Sequence, residues 1–575
     1  VGNVNMEAPA QPLEPSSKPA RPASDRSRRA HQPLPERVDV AIVGAGLGGL
    51  TAGAYLARRG LKVAVFESHY EAGGCATQFS RGGKGARYHF DVGLHYVGDC
   101  GEGGTIPRIL GELGTGAEFA TMDPDGFDTL VFPDLTFRIP ASLELYRERL
   151  VKAFPHERRG IDQYVSMVRS VMNVGRVLEH HEGRPPLRAL AGLALDGLRL
   201  AKVGGATMAE LFDGRIRDPK LRAVILGQSG DYGLPPSKVS ALLHMGLAGH
   251  YFRGAFYPKG GGQVIADRIG AALEAAGGSI HLRTPVEQIL VRGGEVVGLR
   301  LAAKAGAPAK EVRAGVVLSN ADLKRTLLEL VGPAELPSDW VTRGERLEMA
   351  AALFIHFLGI EGDLRALGMS STNVWQFDGY DVESFYRADK GEGPIQIKGC
   401  YVTSASLKDP DNARHHAPAG VGNVEIMCVV PGSSRRWGVT DASADAWQYK
   451  HQEAYEQRKR ELERELVARL EALYPGAAER VVFSESASPI THRRFTGATD
   501  GTGYGIAATP AQFMKRRPGY RGPLAGLYLA GASTRAGHGV VGAMMGGRSA
   551  ALRILRDVAS DKVTRTSAPQ PDPSR

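Results

Sequence analysis

Three glycines and one acid carry the clearest chemistry in this 575-residue chain. Gly44, Gly46 and Gly49 follow the spacing G-x-G-x-x-G, and Glu67 stands about twenty residues further on. That set can hold a dinucleotide, and each residue has its own task. Gly44 permits a tight turn, Gly46 lets the backbone approach a pyrophosphate, and Gly49 lets a helix pack close to a sheet. Ala45 and Gly48 complete the loop, whose free N–H groups at a helix start attract phosphate. A carboxylate at Glu67 can accept both hydroxyls of an adenine ribose and would repel the extra phosphate of an NADP-type ligand. Other chemistries lack their residues. No Ser/His/Asp order, nucleophile elbow or pair of acids at a defined spacing occurs. Cys75, Cys100, Cys400 and Cys428 form no CxxC or Cys/His cluster, so neither a disulfide scaffold nor a metal site is indicated. His415-His416 fails as a metal pair, because adjacent side chains on extended backbone point apart and no third ligand completes a known spacing.

The elements that must position these residues are legible around them. An apolar β-branched run at 38–43 predicts a buried strand, 47–59 a helix stopped by Gly60, and 62–66 a second strand ending on Glu67. A bare glycine motif is weak, but here strand, turn, helix, strand and acid occur in register. Further on, Gly260, Gly261 and Gly262 precede an amphipathic helix reaching about residue 276. A strand at 279–282, a hairpin of 286–291 with 296–301, and a strand ending at Asn320 follow. Near the end, 527–530 predicts a strand and 542–555 a helix. Residues 537–542 spell a second formal glycine motif, GHGVVG. It lacks the rest of a βαβ unit, since five residues separate it from Gly531 and no second strand follows the helix. The charged helix at 452–472 reads as a solvated face. The apolar run at 349–360 is too short to span a bilayer and carries His356, so it reads as core.

Length and a hydrophobic content of 43% suit several domains with sizeable cores. The net charge is 71 − 62 = +9, yet no arginine-rich helix or RNA-binding motif accompanies it, so no nucleic acid partner is expected. A generally solvated basic surface is the default reading, with an anionic membrane surface as the candidate partner. Cysteine usage fits a reducing, cytoplasmic compartment. Residues 1–37, rich in Pro, Ser, Ala and Arg, read as a disordered leader, and 558–575 as a disordered tail. Over 185–206, Leu187, Leu190, Ala191, Ala194, Leu198 and Ala201 make an apolar stripe bordered by Arg188, Arg199 and Lys202. That pattern suits a helix lying in a membrane surface, and equally a helix packed on its own domain.

Several longer segments carry a resemblance. GGCATQF followed by HFDVGLHYVGD, then YPKGGG, SNAD, and GAST with GHGVVGA are similar to the phytoene desaturase superfamily. The first pair is similar to its retinol saturase branch, whereas the last leans to its desaturases and carotenoid isomerases. These are flavoproteins acting on polyenes, with an architecture like that of amine oxidases and Rab GDP-dissociation inhibitors. The resemblance implies an α/β fold with a glutathione-reductase-like, Rossmann-type FAD-binding domain assembled from 38–100, 255–335 and 483–557. An α+β substrate domain would come from 101–254 and 336–482. The implied cofactor is FAD. Gly73 and Gly74 would let the backbone pass close to it, and Val286 would meet its adenine end. Gly531, Val540 and Val541 would face the flavin, where a helix N-terminus stabilises the negative charge that reduction creates. One departure is Gly531-Ala532, where many flavoproteins have Gly-Asp. His95, after the FDVG element, is the acid–base candidate beside a purely structural reading; Cys75 reads as packing beneath the flavin rather than as a redox thiol. The implied function is an FAD-dependent oxidoreductase on C–C double bonds of a carotenoid, retinoid or other polyisoprenoid, by desaturation or saturation. A flavin-dependent carotenoid cis–trans isomerase is the alternative. An amine oxidase or a non-catalytic isoprenoid-binding protein stands further off. The implied partner is a hydrophobic polyene; no electron donor or acceptor is named by the sequence.

Overall fold

Five short apolar strands drawn from distant parts of the chain build the sheet on which everything else rests. In the computed structural model, which describes residues 24–82, 87–180, 186–303, 308–389, 393–441, 444 and 447–560, they are all parallel. Their order is Ser279–His281, Val63–Phe66, Val40–Val43, Val316–Ser319 and Leu527–Leu529. Val40–Val43 lies in the middle, buried on both faces, which is why its sequence is a continuous apolar run rather than an alternation. The helix Leu47–Ala57 is buried along its whole length, packed between Gly539–Ala559 and Gln263–Ala275. Small residues make that sandwich possible: a Cβ on Gly547 would lie 2.2 Å from the Gly48 carbonyl oxygen. A three-stranded antiparallel sheet of Val286–Arg292, Glu295–Leu301 and Lys310–Arg313 stands beside it.

The second body is organised by a sheet that the sequence pattern did not reveal. Seven strands run in the order Val481–Ala487, Ala352–Glu361, Val421–Val430, Gly399–Thr403, Asn373–Phe377, Asp128–Phe132 and Leu135–Ile139. The apolar run expected as core is one of its two longest strands, paired residue for residue with the other, Val421–Val430. One side carries aromatic residues and the helices Leu143–Ala153, Arg158–His180 and Ala241–Tyr251. The other is covered by Glu453–Leu473, which buries Tyr455, Leu462, Leu466 and Leu470 and turns its charges outward.

Several boundaries differ from those expected. Strand Val481–Ala487 belongs to this second sheet, although 483 was expected to open a cofactor segment. Within 1–37, residues 24–37 are not a free leader. Ser24–His31 is helical, Arg29 pairs with Glu274 at 2.8 Å, and Arg37 bridges to Arg313; residues 1–23 lie outside the described set. The last helix runs from Gly539 to Ala559, past the expected tail boundary at 558, and 561–575 are not described. The stripe within 185–206 is two short helices, Leu187–Gly192 and Ala194–Ala201, broken at Leu193; Pro185 lies outside the described residues.

Candidate functional site

A cavity of about 800 Å³ runs between the two bodies of the chain, and it gathers most of the site residues expected from sequence. Gly44, Gly46, Gly48, Glu67, Gly73, Gly74, His95, Val286, Gly531, Val540 and Val541 all line it. Ala45 and Gly49 stand behind its wall. Gly49 is a packing residue, since a Cβ there would lie 2.2 Å from the Gly44 carbonyl oxygen. Ala45 acts through its backbone, its N–H donating to Glu67 Oε2 at 2.7 Å and its carbonyl accepting from Gly73 N–H at 2.8 Å. Glu67 Oε1 accepts from His69 N–H at 2.8 Å. Ser68 Oγ donates to the same oxygen at 3.2 Å, so the carboxylate is fixed at the strand end with a lone pair remaining on Oε2 for a ribose hydroxyl.

The glycine cradle fits a dinucleotide. Gly44 and Gly531 adopt φ of +92° and +85°, a region that side chains rarely enter. A Cβ on Gly46 would meet Asn320 Nδ2 at 2.8 Å, and one on Gly48 would meet Asn320 Oδ1 at 2.5 Å. Asn320 lines the cavity between them, and its buried Oδ1 has no hydrogen-bond partner among the described residues. An unsatisfied acceptor in a groove kept open by glycines is what an absent polar ligand leaves behind. At the far end, the helix beginning at Gly539 directs its first N–H groups toward the cavity. Arg517 supports this end from behind. It is fully buried, held by the carbonyls of Ile506, Gln512 and Ala532, and stands where the usual strand-end acid is missing. Burial pulls it down to about 10, so it keeps its charge at neutral pH.

His95 is placed by a buried polar network that sequence reasoning missed. Its Nδ1 stands 2.7 Å from Glu425 Oε2, and Glu425 Oε1 accepts from the Asp91 N–H at 3.0 Å. The Asp91 carboxyl accepts from Tyr257 OH at 2.5 Å and Gly262 N–H at 2.9 Å. Burial and the nearby Glu425 charge raise it above the usual carboxylate range. Lys408 Nζ donates to the His95 carbonyl, and burial pushes this lysine down to about 8. The FDVG element is therefore tied by its acid to the glycine turn before Gln263–Ala275 and by its backbone to the long strand Val421–Val430. Asp91 was visible in the motif; Glu425, over 330 residues away, carries no local signal.

Beyond His95 the cavity becomes a chamber of aromatic and aliphatic walls. Leu242, Leu247, Phe357, Trp375, Phe377 and Tyr401 contribute to it. Two acids lie at its edge. Asp128, fully buried, accepts from Gln228 Nε2 at 2.7 Å, Asn373 Nδ2 at 2.8 Å, Trp375 Nε1 at 3.2 Å and Tyr96 OH at 3.1 Å. Asp231 lines the cavity and lies 2.6 Å from the same Tyr96 hydroxyl. Burial raises Asp128 to about 6; burial and the Asp128 charge raise Asp231 to about 8. The His538 ring, at the start of the last helix, hydrogen-bonds the Asp231 backbone.

Cys75 lines the cavity with Sγ 3.8 Å from His492 Nε2, and burial raises the thiol to about 11, which leaves it protonated and unreactive. His415 and His416 occupy a short helix, not extended backbone. His416 Nε2 meets Asp409 at 3.2 Å, and His415 stacks on His89 at 4.4 Å. Among the described residues no three His, Cys, Asp or Glu side chains are grouped to hold a metal ion.

Comparison with known proteins agrees with this architecture. The family model of the flavin containing amine oxidoreductases matches residues 47–366 and 439–555. All-trans-retinol 13,14-reductase of Danio rerio is 27% identical over 82% of this chain and 78% of its own length. Chloroplastic prolycopene isomerase of Daucus carota is 25% identical, over 91% of this chain and 81% of its own. The crystal structure of an oxidoreductase from Methanosarcina mazei shares the fold, with a TM-score of 0.58 at 18% identity over 90% of this chain and all of that one.

Proposed function

The chain belongs to the flavin containing amine oxidoreductase family, an FAD-dependent oxidoreductase, and we propose that it adds hydrogen to, or removes it from, a C–C double bond of a carotenoid, retinoid or other polyisoprenoid. One observation carries this reading. The dinucleotide cradle and the apolar, aromatic-walled chamber are one continuous cavity, so a long hydrocarbon lying in the chamber reaches the flavin end of the cradle. The two relatives, one named for a retinoid double bond and one for a carotenoid, support the same substrate class.

When bound, FAD accepts or supplies a hydride; the rest of the work falls to the chain. Glu67 holds the ribose, the loop 44–49 holds the pyrophosphate, and Gly539–Val541 present a helix N-terminus where negative charge accumulates. The aromatic walls exclude water and align the polyene. We place His95 there as a base. The Glu425 carboxylate, with Oε2 2.7 Å from Nδ1, holds that edge of the ring and puts Nε2 on the opposite edge as the proton acceptor.

Anaerobic spectroscopy tests the function. The holoprotein, oxidised in one sample and dithionite-reduced in another, is mixed with all-trans and cis polyenes in liposomes. Bleaching of the oxidised flavin by a polyene identifies a desaturase. Reoxidation of the reduced flavin with a shortened chromophore identifies a saturase. Geometric conversion by the reduced protein with no electron balance replaces the proposal with an isomerase. A protein that does none of these, yet binds polyenes, is a carrier.

Among the described residues no helix is long and apolar enough to cross a membrane. We propose peripheral attachment through Ala194–Ala201 and its neighbour. Leu195 and Leu198 are 71% and 63% exposed, and exposed Arg188, Arg199 and Lys202 border them. Apolar side chains with flanking cations suit the interface of an anionic bilayer. The helix packs on Arg158–His180, which in turn packs on Ala241–Tyr251, whose Leu242 and Leu247 line the chamber.

A further inference from the structure

Tyr96 has one hydroxyl proton and two carboxyl groups to satisfy. Its oxygen lies 3.1 Å from Asp128 Oδ2 and 2.6 Å from Asp231 Oδ2. If both acids were ionised, one of these contacts would lack a hydrogen and two negative charges would share a buried pocket. The surroundings decide which acid is ionised. Asp128 accepts three side-chain N–H bonds, from Gln228, Asn373 and Trp375, and it is the acid whose field reaches Lys408. Among the described residues Asp231 receives no such N–H donors. Its neighbours are the hydroxyls of Tyr96 and Tyr251, the rings of Tyr386, Tyr401 and Tyr504, and Asp128. His538, on its backbone, is neutral, since burial pulls it down to about 3. A carboxyl amid phenols and a second carboxylate keeps its proton, as in other acids forced apart by their environments. Of the pair, Asp231 alone lines the cavity.

We propose that Asp231 is the proton donor of the reaction, entering as an un-ionised carboxylic acid that shares a hydrogen-bonded pocket with ionised Asp128 through Tyr96. The assignment rests on the polyene reading and completes it. Saturating one double bond takes a hydride and a proton. Reduced FAD, which is oxidised by two electrons, supplies the hydride to one carbon. The Asp231 O–H bond breaks, and its proton joins the π pair to form the C–H bond at the other carbon. The carboxylate left behind regains a proton from solvent. In the desaturating direction oxidised FAD would take the hydride and His95 Nε2 the proton.

Two readouts test this on the FAD-loaded full chain. Infrared spectroscopy at neutral pH should show the C=O stretch of a protonated carboxyl that shifts in D2O, vanishes in Asp231→Asn, and titrates away above pH about 8. In D2O, with dithionite-reduced protein and all-trans-retinol or a cis-carotenoid in liposomes, wild type should place two solvent deuterons per reduced bond, one through the exchangeable flavin N–H and one through the acid. Asp231→Asn should slow this at least 100-fold, within the range of general acid catalysis, and Asp231→Glu should recover part of it. Asparagine matches the protonated acid in shape, so retained flavin absorbance in that variant excludes misfolding. A band unchanged in Asp231→Asn overturns the proposal, and so does full turnover by that variant. If neither protein converts any polyene while the band is present and lost in the variant, the function reading falls and the protonated state of Asp231 stands.

Discussion

Replacing Asp231 by asparagine should make the protein more stable, and increasingly so as pH rises. The folded state holds this carboxyl at about 8 against an ordinary 3.8. Below pH 3.8 both folded and unfolded chains carry the proton, and nothing is lost. Between those values the unfolded chain releases it and the folded chain retains it, so each unit of pH costs about 1.4 kcal/mol of stability. From pH 5.5 to 7.5 the loss through this one group is about 3 kcal/mol. Asparagine is neutral in both states and removes that slope. Urea unfolding of wild type and Asp231→Asn at three pH values, followed by tryptophan fluorescence, gives the difference directly, because every other titrating group is common to both chains. The gap should widen steadily and level off above pH 8. Asp128→Asn should do the reverse. It sets an amide N–H against the donors of Gln228, Asn373, Trp375 and Tyr96, at a cost of about 2–4 kcal/mol. Parallel stability curves for wild type and Asp231→Asn would refute the retained proton and the pocket argument with it.

Glu67→Gln should weaken FAD binding roughly 10–100-fold, the worth of a charge-assisted bond to the ribose, measured by quenching of flavin fluorescence on titrating the apoprotein; unchanged affinity would place the ribose elsewhere. Gly49→Ala drives a methyl against the Gly44 carbonyl oxygen and should abolish flavin retention on purification, while normal yellow protein would contradict the packing role. Glu425→Ala removes the carboxylate beside His95 Nδ1 and leaves the Asp91 N–H without its acceptor; a loss of about 2–4 kcal/mol in thermal or urea unfolding is expected, and a neutral result would show that water replaces the carboxylate. Leu195→Asp with Leu198→Asp should abolish flotation with anionic liposomes but leave flavin content intact, and unaltered flotation would move the membrane contact to another face.

Local chemistry was legible, and long-range chemistry was not. Gly44 to Glu67 spells a complete βαβ unit because all its parts lie within one supersecondary element. Gly531, Val540 and Val541 were found from motif likeness, and they line the same cavity. The seven-stranded sheet escaped because Ala352–Glu361 finds its partner sixty residues later, at Val421–Val430, with no turn between them to announce a hairpin. Its parallel pairing of Asn373–Phe377 with Asp128–Phe132 reaches further still. Asp128 and Asp231 looked like two unremarked acids, since what perturbs them is a pocket built from segments scattered between Tyr96 and His538. The stripe at 185–206 kept its amphipathic character but not its continuity, because the chain leaves helical geometry at Leu193.

The order of strands in the parallel sheet also sets a timetable for synthesis. Val40–Val43 emerges early, yet one of its neighbours is Val316–Ser319, and the outermost strand, Leu527–Leu529, comes 484 residues after Val43. At typical elongation rates that interval is roughly 25–100 s. Throughout it, a βαβ unit made almost wholly of buried apolar side chains waits with an open edge. The helix that closes the nucleotide groove against Gly48 comes later still, so the groove is complete only once residue 559 has emerged. Cofactor capture therefore waits for that helix. Ribosome-bound intermediates should be clients of holdase chaperones, and premature termination near residue 520 should yield insoluble, colourless product rather than a weakened flavoprotein.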